Sequence, residues 1–102
     1  MKKEELEIFL EERRKKAEED LTKAKIYTSC LISELEKLGK KITVEYNDTI
    51  HGPSAELIVG EKVTVWVYPL IKEKDKFIVS SEIGVFRTDK TKKLYDMLTV
   101  LL

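Results

Sequence analysis

Apolar residues recur at spacings of three and four through Leu21, Ala24, Tyr27, Leu31, Leu35 and Leu38, and Ile26, Cys30 and Ile32 widen the stripe. A side chain returns to one face of an α-helix about every 3.6 residues, so this spacing predicts a helix with one face in a core. Upstream, residues 2–20 carry fourteen charged side chains among few apolar ones, Leu6, Ile8, Phe9, Leu10 and Ala17, with no Gly or Pro to interrupt a helix. One helix is therefore expected over residues 2–38. Gly39 is placed to end it in a left-handed C-cap, and Lys37, Lys40 and Lys41 complement the negative end of its dipole. At about 1.5 Å per residue such a helix spans about 55 Å, whereas a compact globule of about 100 residues is only about 34 Å across. Much of its first half has no sheet to lie on and must project, bend or meet another chain.

Beyond Gly39 the period drops to two. Ile42, Val44 and Tyr46 alternate with Thr43 and Glu45, the pattern of a strand with one buried face. Residues 47–54, with Gly52 and Pro53, read as a loop. A short strand over 55–59 is joined by Gly60-Glu61-Lys62 to a third over 63–70, where Pro69 ends clean pairing. Residues 72–76 form a charged turn. Residues 77–87 read as one long fourth strand, bent at Gly84, and Thr88 or Asp89 is expected to cap a last helix running to Leu102.

The expected fold is thus α+β in two layers, in the order α-β-β-β-β-α: a long N-terminal helix, a four-stranded antiparallel meander and a C-terminal helix. Residues 1–102 make one domain, with 2–20 a charged helical extension. Val63, Val65 and Val67 share one strand face while Thr64, Trp66 and Tyr68 share the other. If both helices cover the valines, the aromatic face needs a cover from the overhanging half-helix or from a second molecule. The last helix is apolar nearly all round through Leu94, Tyr95, Met97, Leu98, Val100, Leu101 and Leu102, which predicts burial all round. Together these features favour a homodimer over a monomer.

Composition narrows the setting. Nineteen basic and nineteen acidic residues cancel, so bulk charge names no nucleic-acid or membrane partner. Cys30 is the one cysteine, which excludes an internal disulfide framework and suits a reducing compartment. The first twenty residues are too charged for a signal peptide, and no apolar run reaches the roughly 18 residues of a membrane span. A soluble, cytoplasmic protein is expected. With 37% charged residues, no glutamine and one asparagine, the chain resembles in composition the small proteins of thermophilic archaea and their viruses.

Catalytic constellations are weak. Cys30 and His51 are the single possible thiol–imidazole pair, and Cys30 falls within the apolar stripe, where a thiol acts as a small hydrophobe. Asp48 and His51 supply two metal ligands where zinc needs three or four. Ser80 and Ser81 lack the flanking glycines of a nucleophile elbow, and the glycines are too scattered for a phosphate loop. No enzyme, cofactor or metal site is expected.

Binding chemistry is better represented. Arg13 to Lys16 encircle a helix and are spaced to pair with the neighbouring acids, Glu11 with Lys15 and Glu12 with Lys16. Lys90, Lys92 and Lys93, with Arg87, gather where the last helix begins and cations oppose its dipole, so a phosphate could be held there. Thr91-Lys92-Lys93 opening a C-terminal helix after strands resembles the double-stranded RNA-binding domain. That resemblance implies phosphate contacts from these lysines, but it covers the element order and three residues only, and the first helix is much longer than that family's. Trp66 and Tyr68 are core, base-stacking platforms or the aromatic anchors of a protein interface. The leading expectation is a non-enzymatic protein-protein interaction or self-association module with Phe9, Leu10, Trp66 and Tyr68 in its interface. The alternative is a small nucleic-acid-binding regulator using Arg87 and the three lysines.

Overall fold

The computed structural model describes residues 2–49, 52–70 and 76–102. Helix α1 runs over Lys3–Leu35 and tightens into a single 3-10 turn at Glu36–Leu38 before Gly39 takes the left-handed conformation with φ +75°. The expected stop is therefore met, with the last turn wound more tightly than an α-helix. At the other end Glu5 accepts a hydrogen bond from the Lys2 backbone N–H at 3.4 Å, and Glu4 and Glu5 face the positive end of the dipole. The molecule measures 57 × 21 × 20 Å, as elongated as the length of its helix demands.

The sheet has five strands, not the expected four. They are β1 (Ile42–Thr49), β2 (Gly52–Val59), β3 (Val63–Val67), β4 (Phe77–Ser81) and β5 (Gly84–Thr88), paired antiparallel in chain order. The single long strand over 77–87 is instead a hairpin, turning at Glu82 and Ile83 with Gly84 at φ +143°. Ser81 Oγ donates to the Gly84 carbonyl at 3.1 Å and closes this turn. Ile83 disguises it in the sequence, an apolar residue at a turn tip, 74% exposed.

The expected loop over 47–54 is also mostly strand. Asn47, Asp48 and Thr49 pair with Ser54, Pro53 and Gly52. Thr49 Oγ1 donates to the Gly52 carbonyl at 2.8 Å, and Gly52 supplies the φ of +92° that the return needs. Pro53 is tolerated because β3 pairs with β2 only from Ala55 onward, leaving its nitrogen side without a neighbouring strand. His51 and residues 71–75 lie outside the described residues, so the Asp48–His51 and Cys30–His51 pairs and most of the charged turn do too. The Gly60-Glu61-Lys62 connection is as expected, with Gly60 at φ +60° and Glu61 at φ +69°. After β3, Tyr68 N–H still donates to the Lys76 carbonyl at 2.9 Å, so pairing ends just before Pro69.

Helix α2 spans Thr91–Leu101. Its N-cap is Lys90, with no side-chain cap of its own; Thr88, expected as a cap, accepts the Lys90 backbone N–H at 3.2 Å one step earlier. Both helices pack on one sheet face. Ala55, Leu57, Val59, Val63, Val65, Val67, Phe77 and Val79 meet Leu31 and Leu35 of α1 and Leu94 and Leu98 of α2 in one core. Helix α2 is not buried all round as expected: Leu94 and Leu98 are enclosed, whereas Val100 is 82% exposed.

Candidate functional site

The buried residues of α1 are Ala24, Thr28, Leu31 and Leu35, and Tyr27 and Ile32 pack beside them against the core. At about 100° per residue the four buried ones fall within a narrow arc, and Leu6, Leu10, Arg13, Ala17 and Leu21 lie in the same arc, about 80° wide in all. The stripe that builds the core thus runs on into the overhang, interrupted by Arg13. Residues 2–19 are exposed throughout, with Leu6 at 43%, Phe9 at 45% and Leu10 at 55%. Cys30 departs from expectation. It points away from the core and is exposed, so it does not serve as a buried small hydrophobe.

Charges on the overhang are tied locally. Arg14 pairs with Glu11, one turn back, rather than the expected Glu11 with Lys15. The hydrogen bond that Arg14 donates to the Glu11 carboxylate, reinforced by the charge of Glu11, holds the guanidinium above its ordinary pKa. The Arg13 guanidinium lies 5.6 Å from the centroid of the Phe9 ring. Where α1 leaves the sheet, a groove of about 470 Å³ opens between it and the protruding β1–β2 hairpin. Ala17 and Leu21 form its helix wall, Tyr46 and Pro53 its hairpin wall. Lys25 Nζ sits 5.5 Å from the Tyr46 ring centroid at its inner end.

The second surface is the sheet face turned away from the helices. Cross-strand registers align Glu45, Glu56, Trp66, Ile78 and Arg87 in one row and Thr43, Ile58, Thr64, Ser80 and Val85 in the next. Trp66, Tyr68 and Ile78 are half-buried, Ile58 is 43% exposed and Val85 59%. Among the described residues no helix or strand covers this face. Glu45 and Glu56 stand directly opposite each other, a like-charge pair that opposes folding.

The expected interface residues are therefore divided. Phe9 and Leu10 lie on the overhang of α1, in the helix layer, while Trp66 and Tyr68 lie on the opposite sheet face, so no one contact can use all four. The basic cluster is divided as well. Arg87 shares the open face with Trp66, whereas Lys90, Lys92 and Lys93 are exposed around the start of α2 in the helix layer. Lys92 shares a shallow depression with Glu34, Lys37 and Asp96, and Glu34 is paired with Lys37 at 3.0 Å. No acidic residue occupies the first turn of α2. Ile58, Ile78 and Val85 were legible as surface only through strand register, and Leu6 and Ala17 only through helical angle.

Among the described residues no group of three or more His, Cys, Asp or Glu could hold a metal ion, and no described helix is long and apolar enough to cross a membrane. Comparison with protein-family models, with curated proteins and with solved structures finds no significant match.

Proposed function

We propose that this chain is a non-enzymatic protein-protein interaction module that works by self-association. The observation carrying the reading is the core stripe of α1 continuing beyond Ala24 through Leu21 and Ala17 and, past Arg13, to Leu10 and Leu6, which are 55% and 43% exposed. An apolar stripe in water costs free energy roughly in proportion to its area, and a second protein surface removes that cost. The open sheet face is the second contact surface, with Trp66 and Tyr68 as its aromatic anchors. Because the two surfaces lie in different layers, one chain engages neighbours through both at once.

Light scattering over a dilution series in moderate salt tests this. A mass that falls toward one chain on dilution is expected, and a monomer at every concentration overturns self-association. Trp66→Ala and Tyr68→Ala should each weaken the association step that uses the sheet face by more than about 2 kcal/mol. Unchanged constants for every step in both variants would remove that face from the interface.

The second reading, nucleic-acid binding through Arg87, Lys90, Lys92 and Lys93, draws support from the α2 N-terminus, where Lys92 and Lys93 stand in a first turn that holds no acidic residue. It requires binding to a duplex that weakens steeply with salt, and a Lys90, Lys92 and Lys93 triple Ala variant that flattens the slope.

A further inference from the structure

Resting on the self-association reading, we infer that the open sheet face binds the same face of a second copy about a two-fold axis parallel to β3, giving a helix–sheet–sheet–helix dimer. The row that crosses this face runs from Glu45 and Glu56 through Trp66 to Ile78 and Arg87. It is acidic at one edge, aromatic at its centre and basic at the other edge. Turned over about an axis along β3, the row meets its own reverse: Arg87 of the second copy comes down at Glu45, beside Glu56, while Trp66 meets Trp66. An axis across the strands would instead lay the acidic pair on itself.

The acidic pair supplies the reason for a partner. Glu45 and Glu56 repel across β1 and β2, and neither carboxylate is held by an ion pair or hydrogen bond among the described residues. A guanidinium carries five N–H donors, so Arg87 can serve the acidic pair of a second copy and still hold groups of its own chain. The neighbouring row agrees with the same operation. It sets Val85 against Thr43 and Ile58 against Ser80, a large side chain against a small one on both sides of Thr64. Lys62 approaches its own copy only at the rim, in an exposed turn where Glu82 stands beside it. Aligned sheets pack about 10 Å apart with their strands turned by about 30°, which displaces the outermost strands by about 5 Å, within reach of Glu and Arg side chains. Both α1 overhangs stay on the outside of such a dimer.

Trp66 is the chain's single tryptophan and lies on the axis, so the unaltered full-length protein carries its own probe. Over the dilution series its emission should move to shorter wavelength as scattering shows the chains associating, because water leaves the indole. Glu45→Lys and Arg87→Glu should each raise the dissociation constant about tenfold with an unchanged far-UV spectrum. The two together should bring it back to within about threefold of the wild-type value. Within one sheet these residues stand on opposite edge strands, about 19 Å apart at about 4.8 Å per strand, so the rescue can act only between copies. An associated sample whose Trp66 emission stays constant overturns this geometry and leaves self-association to the α1 overhang. So do charge variants that fail to weaken it, or whose losses add in the double variant. A wild-type chain that is monomeric throughout overturns both.

Discussion

At the scale of single residues, the largest departure from pattern is Thr28. It sits at the centre of the α1 stripe, fully buried, and its Oγ1 has no hydrogen-bond partner among the described residues. A buried hydroxyl without a partner costs about 1–3 kcal/mol in lost solvation. Thr28→Val keeps the shape and removes the polar atom, so it should stabilise the chain by about 1 kcal/mol and raise the melting temperature by about 4–8 °C. An unchanged or lower melting temperature would mean the hydroxyl is satisfied. Cys30 is the converse case: two residues further on, about 200° round the helix, it faces water. Its thiol should react with a disulfide reagent in native buffer at the rate seen in denaturant; protection would place it under a partner. Both residues were misjudged from sequence for one reason. Residue type nominated Cys30 for the stripe and passed over Thr28, whereas helical angle alone places them correctly.

At the scale of elements, the helix of 33 residues and its stop at Gly39 were legible because charge spacing, stripe and cap all agree. The β4–β5 hairpin was not, since Ile83 at its tip carries no turn signal and Ser81 closes the turn through a side chain. The β2–β3 connection was legible, yet it carries strain. Glu61 adopts φ +69°, a left-handed conformation costing a residue with a Cβ about 1–2 kcal/mol. Glu61→Gly relieves that cost and loses part of the gain to unfolded-chain entropy, so a net stabilisation of about 0.5 kcal/mol is expected in chemical denaturation. The open sheet face supplies a sharper test. Glu45 and Glu56 repel across β1 and β2, so Glu45→Lys should turn a cost into a favourable pair, stabilising the monomer by about 0.2–1 kcal/mol. If a partner surface holds that acidic pair, the same substitution should weaken association while raising stability, a divergence that a purely structural role would not produce.

At the scale of the whole molecule, the overhang contributes shape without contributing core. Its first buried residue is Ala24, and residues 2–19 are exposed. Excess length was readable from the sequence because a helix of fixed rise outruns a globule of fixed volume, while the division of Phe9 and Leu10 from Trp66 and Tyr68 depended on which sheet face the helices chose. Removing residues 2–16 should therefore leave the isolated fold intact. The shortened α1 would begin at Ala17 with Glu18, Glu19 and Asp20 in its first turn, where acids suit the dipole. At high dilution the melting temperature of the truncated chain should match that of the full chain within a few degrees. On concentration the full chain should gain more stability than the truncated one, because association of the folded state raises the melting temperature by mass action and the truncated chain has lost one of its two contact surfaces. A melting temperature that drops on truncation even at high dilution would show that the overhang folds back on its own sheet, and an equal concentration dependence in both chains would leave association to the Trp66 face.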